Sequence, residues 1–306
     1  MTEVFIAALR HLSIKAVGSS LLQAFGVLWL VVEVTAFFWP DFSAGTKSYW
    51  WLFLVTGTAV GLFRAWPRLS VCAFVSGTDC SITIRVCDLF AVAGVAYVVG
   101  TNTTFDTAIE DGTIHPASVQ GQFTTRLCSS RQQLDRDIAH SLEGIPSSAV
   151  LPQDKAYGKL HRYEIGTVAS VLVQKRRAYL VAIATLNAHK VAQARRRDVS
   201  DALPRLWEYI RTRGSLDVLC CPILGSGFSR LDATREALVH EIVRSFIPAV
   251  RAGTFCRGLI IVVSPRDFRE GHLDLKRLGE FLQHECAYGS SALGAANLPA
   301  VGTPQG

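Results

Sequence analysis

Two long apolar runs stand back to back near the start of the chain, at residues 21–39 and 49 to about 66, and from about Ser76 onward short apolar runs alternate with amphipathic ones. At 1.5 Å of rise per residue the first run reaches roughly 28 Å as a helix, close to the roughly 30 Å hydrocarbon core of a bilayer. The second is shorter before Arg64 interrupts it, but an Arg near a helix end extends its head to the interface while its stem stays in lipid. Together the runs predict a transmembrane helical hairpin. A cleaved leader followed by a buried helix fits less well. The apolar part of a leader is usually about 7–15 residues, and a second apolar run follows here at once.

Beyond the hairpin, the runs at 81–86, 93–99, 168–173, 178–184, 218–224 and 259–263 have strand length and are bounded by polar residues or Gly. Between them, Leu134, Ile138 and Leu142 recur every four residues, with Ser129 or Ser130 as N-cap and Gly144 as C-cap. Leu203, Leu206, Trp207 and Ile210 mark a second helix, with Pro204 in its first turn and Gly214 after its end. Leu238, Val239, Ile242, Val243 and Phe246 mark a third, and a fourth lies around 273–284. This alternation over about 210 residues predicts an α/β domain, a mixed central sheet covered by helices on both faces. The organisation read is a hairpin with its N-terminal segment over 1–70, a ligand-binding domain over 71–287, and a disordered tail rich in Gly, Ala, Ser and Pro over 288–306.

Charge orients the hairpin. Arg10, Lys15, Arg64, Arg68 and Arg85 lie outside it, whereas the connection at 40–48 carries only Asp41 and Lys47. Excess Lys and Arg belong on the cytoplasmic side, so both termini and the α/β domain are placed on the cytoplasmic side of an inner membrane. Trp29, Trp39, Tyr49, Trp50, Trp51 and Trp66 cluster mostly at the run ends, where headgroups favour such rings. Gly57 and Gly61 have the spacing that lets helix backbones approach closely in lipid, or are simply tolerated there. Glu33, with Gln23, either faces an assembled bundle interior or extends to the nearby interface.

The remaining composition narrows the chemistry. The eight cysteines form no CxxC pair and no His/Cys cluster at zinc spacing, so reduced thiols and no metal are read. His115, His140, His161, His189 and His240 are scattered without ligand spacing. Net charge is +6, with clusters at Lys175-Arg176-Arg177 and Arg195-Arg196-Arg197. Without interleaved aromatic residues these read as solvated turns, and no nucleic-acid partner is inferred.

In a sheet of this kind the ligand lies beyond the carboxyl ends of the strands. After the 218–224 strand comes Gly225-Ser226-Gly227-Phe228-Ser229-Arg230, then a helix. That context suits phosphate oxygens, but there is no Lys of a P-loop and no third Gly at dinucleotide spacing. After 93–99 come Asn102, Thr103, Thr104, Phe105 and Asp106, able to hydrogen-bond sugar hydroxyls or a pyrophosphate. A third loop, Ser118 to Phe123, pairs Gly121 with Gln120, Gln122 and a ring that would lie on a ribose or base. Each taken singly also reads as an Asx or Ser/Thr turn.

Asp88-Leu89 after a strand, the strand ending in Asn102, and Pro222-Ile223-Leu224-Gly225-Ser226-Gly227-Phe228 resemble the macrodomain, a fold that binds ADP-ribose and its derivatives. The resemblance implies a three-layer α/β/α domain in which Asp88 accepts from the adenine amino group and Asn102 sits by the distal ribose. It further implies that the segments around Gly121 and Gly225 to Phe228 flank the pyrophosphate, with Asp267 and Phe268 near the adenine. The triple-glycine loop of hydrolytic macrodomains is replaced here by Ser118 to Phe123, which implies binding without catalytic residues or a cofactor. Adding Asn102 to Thr107, Gln120 to Phe123, Tyr163-Glu164-Ile165-Gly166-Thr167 and the hairpin, the chain resembles the membrane-anchored macrodomain effectors of Thoeris antiphage defence. Such an effector binds an ADP-ribose-derived messenger, in this branch a histidine conjugate, made by a TIR-domain partner without stable contact. It responds as a homo-oligomer that disrupts the lipid bilayer. The alternative is a membrane-tethered ADP-ribosyl hydrolase using water near Asn102, with Asp106 or Glu164 as base.

Overall fold

The computed structural model describes residues 2–10, 14–39, 49–151, 153, 155, 157–225, 233–270 and 273–289. The chain divides into two compact units, Met1–Leu69 and Ser70–Gly306.

The first unit contains α1 (Thr2–Arg10), α2 (Ile14–Phe38) and α3 (Trp50–Ala65). Helix α1 was not anticipated from the apolar runs, because it is short and mixes Phe5, Ile6 and Leu9 with charged ends. Helix α2 starts at Ile14 and so takes in Lys15, Ser19 and Ser20, polar residues that a helix tolerates but a hydropathy window trims away. Among the described residues, one stretch, Val17–Phe38, is long and apolar enough to cross a membrane, with 22 residues and a mean hydropathy of 1.9. Helix α3, with 16 residues, spans about 24 Å and falls short of that length. Of the two predicted spans, α2 has the length to cross a membrane and α3 does not, so the two-span hairpin is met only in its first helix.

Gly57 and Gly61 are buried against α2 of the same chain. A methyl on Gly57 would strike the Phe25 ring, and one on Gly61 would lie 2.5 Å from Leu21 Cδ2 and 3.0 Å from Leu21 Cα. The small-residue face thus closes the helix pair itself, the close-approach role its spacing allowed. Phe53 adds to the same contact, its ring 5.5 Å from Phe25 and 6.4 Å from Trp29. Glu33 is exposed on this unit. The 40–48 connection lies outside the described residues.

In the second unit the sheet runs β1 (Ser70–Phe74), β2 (Ser81–Val86), β10 (Gly258–Val263), β9 (Val218–Pro222), β3 (Val95–Asn102), β7 (Arg176–Leu186) and β6 (Val168–Val173). Strand β8 (Ala192–Gln193) pairs with β7, and β4 (Ser148–Ala149) with β5 (His161–Arg162) forms a separate ribbon. Strands β2, β10, β9, β3 and β7 are mutually parallel, while β1 and β6 are antiparallel. Five carboxyl ends therefore share one edge. Parallel strands buried on both faces read as continuous apolar runs, as β10 does with Gly-Leu-Ile-Ile-Val-Val.

Helices cover both faces. Val95, Tyr97 and Val99 of β3 point with Ala178, Leu180 and Ala182 of β7 into one core, which is closed by α4 (Val119–Leu127) and α5 (Arg131–Ser141) through Phe123, Leu127, Leu134 and Ile138. On the other face α6 (Arg196–Arg213) packs on β7 and β6 and α9 (Leu275–Tyr288) on β1 and β2, with α7 (Arg235–Ala252) packed against both helices. Tyr179 there lies edge-on to Tyr209 of α6, and Trp207 of α6 to Phe246 of α7. A short helix, α8 (Pro265–Arg269), follows β10.

Several sequence-based bounds are corrected. Helix α6 begins at Arg196, because the Asp198 carboxylate accepts from the Arg195 N–H and turns the basic cluster into a helix start. Pro204 therefore lies inside α6 rather than in its first turn, on the solvent face, where water can satisfy the carbonyl it leaves free. Helix α5 is capped by Ser130, as its spacing indicated, but ends at Ser141 with Leu142 as C-cap instead of Gly144. Strand β3 continues to Asn102, and β9 stops at Pro222. Tyr288, placed in the tail, is the last residue of α9; residues 290–306 lie outside the described residues.

Candidate functional site

The carboxyl edge of the parallel strands brings Asp88, Asp267, Gly225 and Asn102 into line, in the spatial order β2, β10, β9, β3. Three inter-strand steps of about 4.8 Å separate the first from the last, about 14 Å in all, which suits an extended ligand. The chain leaves β3 towards β7 and leaves β9 towards β10, so the connections diverge between β3 and β9. Crevices at such switch points are where open α/β sheets hold ligands. Asn102 and Gly225 flank this one.

Asn102 is 4% exposed. Its Oδ1 accepts from the backbone N–H of Thr104 (3.0 Å) and of Asp106 (3.3 Å), which fixes which amide atom is oxygen. Its Nδ2 is buried and has no hydrogen-bond partner among the described residues. Such an orphan donor costs about 1–3 kcal/mol, which an acceptor on a ligand would recover.

Beside it, Asp106 is held by a buried polar cluster. The carboxylate receives Lys155 Nζ at 3.0 Å, the Lys159 N–H at 2.7 Å and the Thr104 hydroxyl at 2.5 Å. Asp106 is 1% exposed and Lys155 0%. Lys155 Nζ also donates to the Lys159 carbonyl at 2.6 Å and lies 4.9 Å from the Tyr157 ring centre. Gly158, at φ 63°, is required here because a Cβ would collide with the Asp106 carboxylate. Lys159 Nζ reaches the Phe105 carbonyl (2.8 Å) and Asp135 (2.6 Å). Asp106 is thus surrounded by donors and sealed from solvent, the opposite of what a water-activating base requires.

The Ser118–Phe123 segment is a helix start and not a loop. The Ser118 side chain accepts from the Gly121 N–H and caps α4. Gly121 packs against residues 115 and 116: a Cβ would strike the His115 carbonyl and lie 2.9 Å from Pro116 Cα. Gln120 donates to the Asp106 carbonyl at 2.5 Å and Gln122 to the Ala117 carbonyl at 3.0 Å. Phe123 is 0% exposed and Phe105 1%, so both rings are core and neither lies on a ligand, which corrects the role read for Phe123. Phe268, too, is buried.

At the β2 end, Asp88 accepts from the Phe90 N–H at 3.1 Å and pairs with Arg126 of α4 through both oxygens, at 3.1 and 2.6 Å. Partial burial works against its charge, but the Arg126 guanidinium and the Phe90 N–H outweigh that and hold the carboxyl below its ordinary value. Asp267, on α8, pairs with Arg235 at 2.7 Å. Tyr163 donates its N–H to the Thr103 carbonyl and sets its ring 5.7 Å from Phe105. Glu164 is exposed and paired with Arg205 of α6, and Gly166 packs on Ala202 of the same helix. These two lie against α6 and not with the Asn102 cluster. Ser226, Gly227, Phe228, Ser229 and Arg230 lie outside the described residues.

Sequence reasoning missed Lys155, Lys159 and Arg126. The partners of Lys155 and Arg126 stand 49 and 38 residues away, so no local spacing announces them.

A mixed sheet between two helical layers, with its polar crevice at the carboxyl edge, places this domain in the macrodomain class. Over residues 82–264, more than half of the chain, it matches the family model described as Thoeris protein ThsA, Macro domain, and the chain belongs to that family. A curated relative, Thoeris protein ThsA of Bacillus amyloliquefaciens (strain Y2), is 26% identical over 171 residues, 54% of this chain and 56% of the relative. The chain spans about half the length of the curated relative it matches. Two point mutants of the Oceanobacillus iheyensis macrodomain superpose with TM-scores of 0.47 and 0.45 at 10% and 13% identity, covering 71% and 70% of this chain and 94% and 100% of theirs. A third mutant of that protein, solved with ADPR, gives a TM-score of 0.39 at 13% identity, covering 69% of this chain and 99% of its own. Superpositions this loose transfer no residue roles.

Proposed function

We propose that this protein is a sensor in antiphage defence that binds an ADP-ribose-derived messenger in the crevice between β3 and β9. The observation that carries the reading is the buried Nδ2 of Asn102 at the switch point, which has no partner among the described residues. A folded chain keeps such a donor where a ligand acceptor, here a ribose hydroxyl or phosphate oxygen, completes it. Membership of the ThsA macrodomain family supports the ligand class. On this reading Asp88 meets the adenine amino group, Thr103 and Thr104 line the distal ribose with Asn102, and the Gly225 segment flanks the pyrophosphate. Asp267 stands near the adenine end. The messenger is a histidine conjugate of ADP-ribose supplied by a TIR-domain synthase.

The helical pair is the output. Helices α2 and α3 anchor the chain as a two-pass hairpin in the inner membrane, with both termini and the ligand domain cytoplasmic. Messenger binding favours an assembled form, since a ligand shifts an equilibrium only by binding its states unequally. The assembly then compromises the bilayer. The sealed surroundings of Asp106 favour binding over hydrolysis.

Calorimetric titration of the detergent-solubilised chain with ADP-ribose, its histidine conjugate, cyclic forms and NAD tests the ligand. Binding of at least one, weakened by Asn102→Ala, is expected; binding of none rejects the reading. Dye release from liposomes carrying the chain tests the output, and no increase at saturating messenger refutes it.

A further inference from the structure

The pair at the β2 end has more structure than an ion pair needs. Arg126 offers its two terminal nitrogens to the two Asp88 oxygens, the fork-to-fork arrangement that fixes a carboxylate in direction as well as in charge. The Phe90 N–H holds Asp88 Oδ1 from another side. The guanidinium itself lies 5.2 Å from the Phe90 ring centre, and that ring is braced by Tyr97 at 5.7 Å and by the buried Phe123 at 6.4 Å. Gln122 adds a longer contact to Arg126 Nη1 at 3.4 Å. A half-buried aromatic braced by the core therefore supports the Arg, and the Arg supports the Asp.

Count the lone pairs. Asp88 Oδ1 is used by Phe90 and Arg126, and Oδ2 by Arg126 once, which leaves Oδ2 able to accept one further hydrogen bond. The two side chains remain 43% and 42% exposed, so that acceptor opens to the surface. A carboxylate so held is an acceptor and never a donor. It rewards an N–H at one fixed place and penalises a carbonyl there.

We propose that Arg126 is a positioning residue that makes Asp88 select ligands carrying an exocyclic amino group on a heteroaromatic base, adenine over hypoxanthine. This rests on the ligand reading given above and adds to it the residue that enforces base choice. Without Arg126, Asp88 rotates about its own χ angles and its charge opposes an anionic ligand unscreened. With it, the carboxylate is neutralised, aimed and rigid.

The test compares ADP-ribose with its hypoxanthine analogue, inosine diphosphate ribose, by calorimetry on the solubilised full chain. Sites built to meet a hydrogen-bonding group reject analogues lacking it strongly, so the wild type should prefer ADP-ribose by roughly tenfold or more. Arg126→Ala should weaken ADP-ribose and bring the preference to within about threefold. Arg126→Lys should fail to restore it, because an ammonium is a point charge and not a fork. Thermal melting verifies that both variants fold, and Asp88→Asn, whose amide can donate to a carbonyl, should shift preference towards the hypoxanthine analogue. An unchanged preference in Arg126→Ala overturns the role of Arg126 alone. A wild type that binds neither compound overturns the ligand reading beneath it.

Discussion

Replacing Lys155 with Met deletes the one cation that, among the described residues, pairs with the Asp106 carboxylate, while keeping most of the side-chain volume. The ion pair is 3.0 Å long and both side chains are 1% exposed. Removing one partner of a buried pair typically costs about 3–5 kcal/mol, because the remaining charge is left in a poorly polarisable site. Here the Lys159 N–H and the Thr104 hydroxyl still hold Asp106, so the lower end, about 3 kcal/mol, is the working value. At about 2–4 °C per kcal/mol for a domain of 150–250 residues, the midpoint should fall by roughly 6–12 °C. The assay is thermal unfolding of the solubilised chain followed by near-ultraviolet circular dichroism. The double variant Asp106→Leu with Lys155→Met removes both charges, and should lose less than the two single variants together. Raising salt to about 1 M should leave the wild-type midpoint insensitive to this pair, which solvent ions cannot reach. A Lys155→Met midpoint within about 1 °C of wild type, or strict additivity in the double variant, would refute the argument.

Three further outcomes follow from the same reasoning. His240 stacks on Phe281 with ring centres 3.7 Å apart, and burial together with Arg244 lowers its pKa against the weaker pull of Glu236 and Glu285. Its folded value lies below the unfolded value of about 6.5, so stability is full above that pH and declines as pH falls towards the folded value. A His240→Leu variant should show a flatter denaturant midpoint between about pH 7.5 and 5.5, and an unchanged slope would count against it. Of the eight free cysteines, Cys72 is exposed, whereas burial pushes Cys128 and Cys286 up to about 11 and Cys220 up to about 12. A maleimide at neutral pH should therefore label Cys72 in a fast phase that Cys72→Ser abolishes; a fast phase that persists points to another thiol. Gly121→Ala forces a methyl against the carbonyl of His115 and the backbone of Pro116, and should cost about 1–3 kcal/mol in chemical unfolding. An unaffected midpoint would mean that the start of α4 gives way freely.

Six of the strands, β2, β3, β6, β7, β9 and β10, were legible because they obey local rules, whereas the edge strand β1 was not read. Strands β2 and β6 coincide with their apolar runs, since each is short and bounded by polar residues. Helices α5 and α7 announced themselves through a four-residue recurrence and, for α5, the Ser130 cap. The start of α6 was hidden because Arg195–Arg197 looks like a solvated turn until Asp198 closes a capping interaction. The Ser118 segment was misread for a related reason: Ser, Gln and Gly suit both a loop and the first turn of a helix. In the candidate site, the polar run after β3 was visible as chemistry, but not its division of labour. That Asn102 keeps an orphan donor while Asp106 is saturated depends on Lys155 and Lys159, which only tertiary structure brings there.

The closure of α2 on α3 through Gly57 and Gly61 couples the two helices genetically as well as sterically. A bulkier residue at position 57 requires the Phe25 ring to shrink or move aside, and one at 61 requires the same of the Leu21 side chain together with a slight retreat of its backbone. Helices exchanged singly between relatives would mismatch, while hairpins exchanged whole would keep their fit. The helix pair is therefore the smallest inheritable part of the first unit, and compensating substitutions at 21, 25, 57 and 61 are the record it should leave.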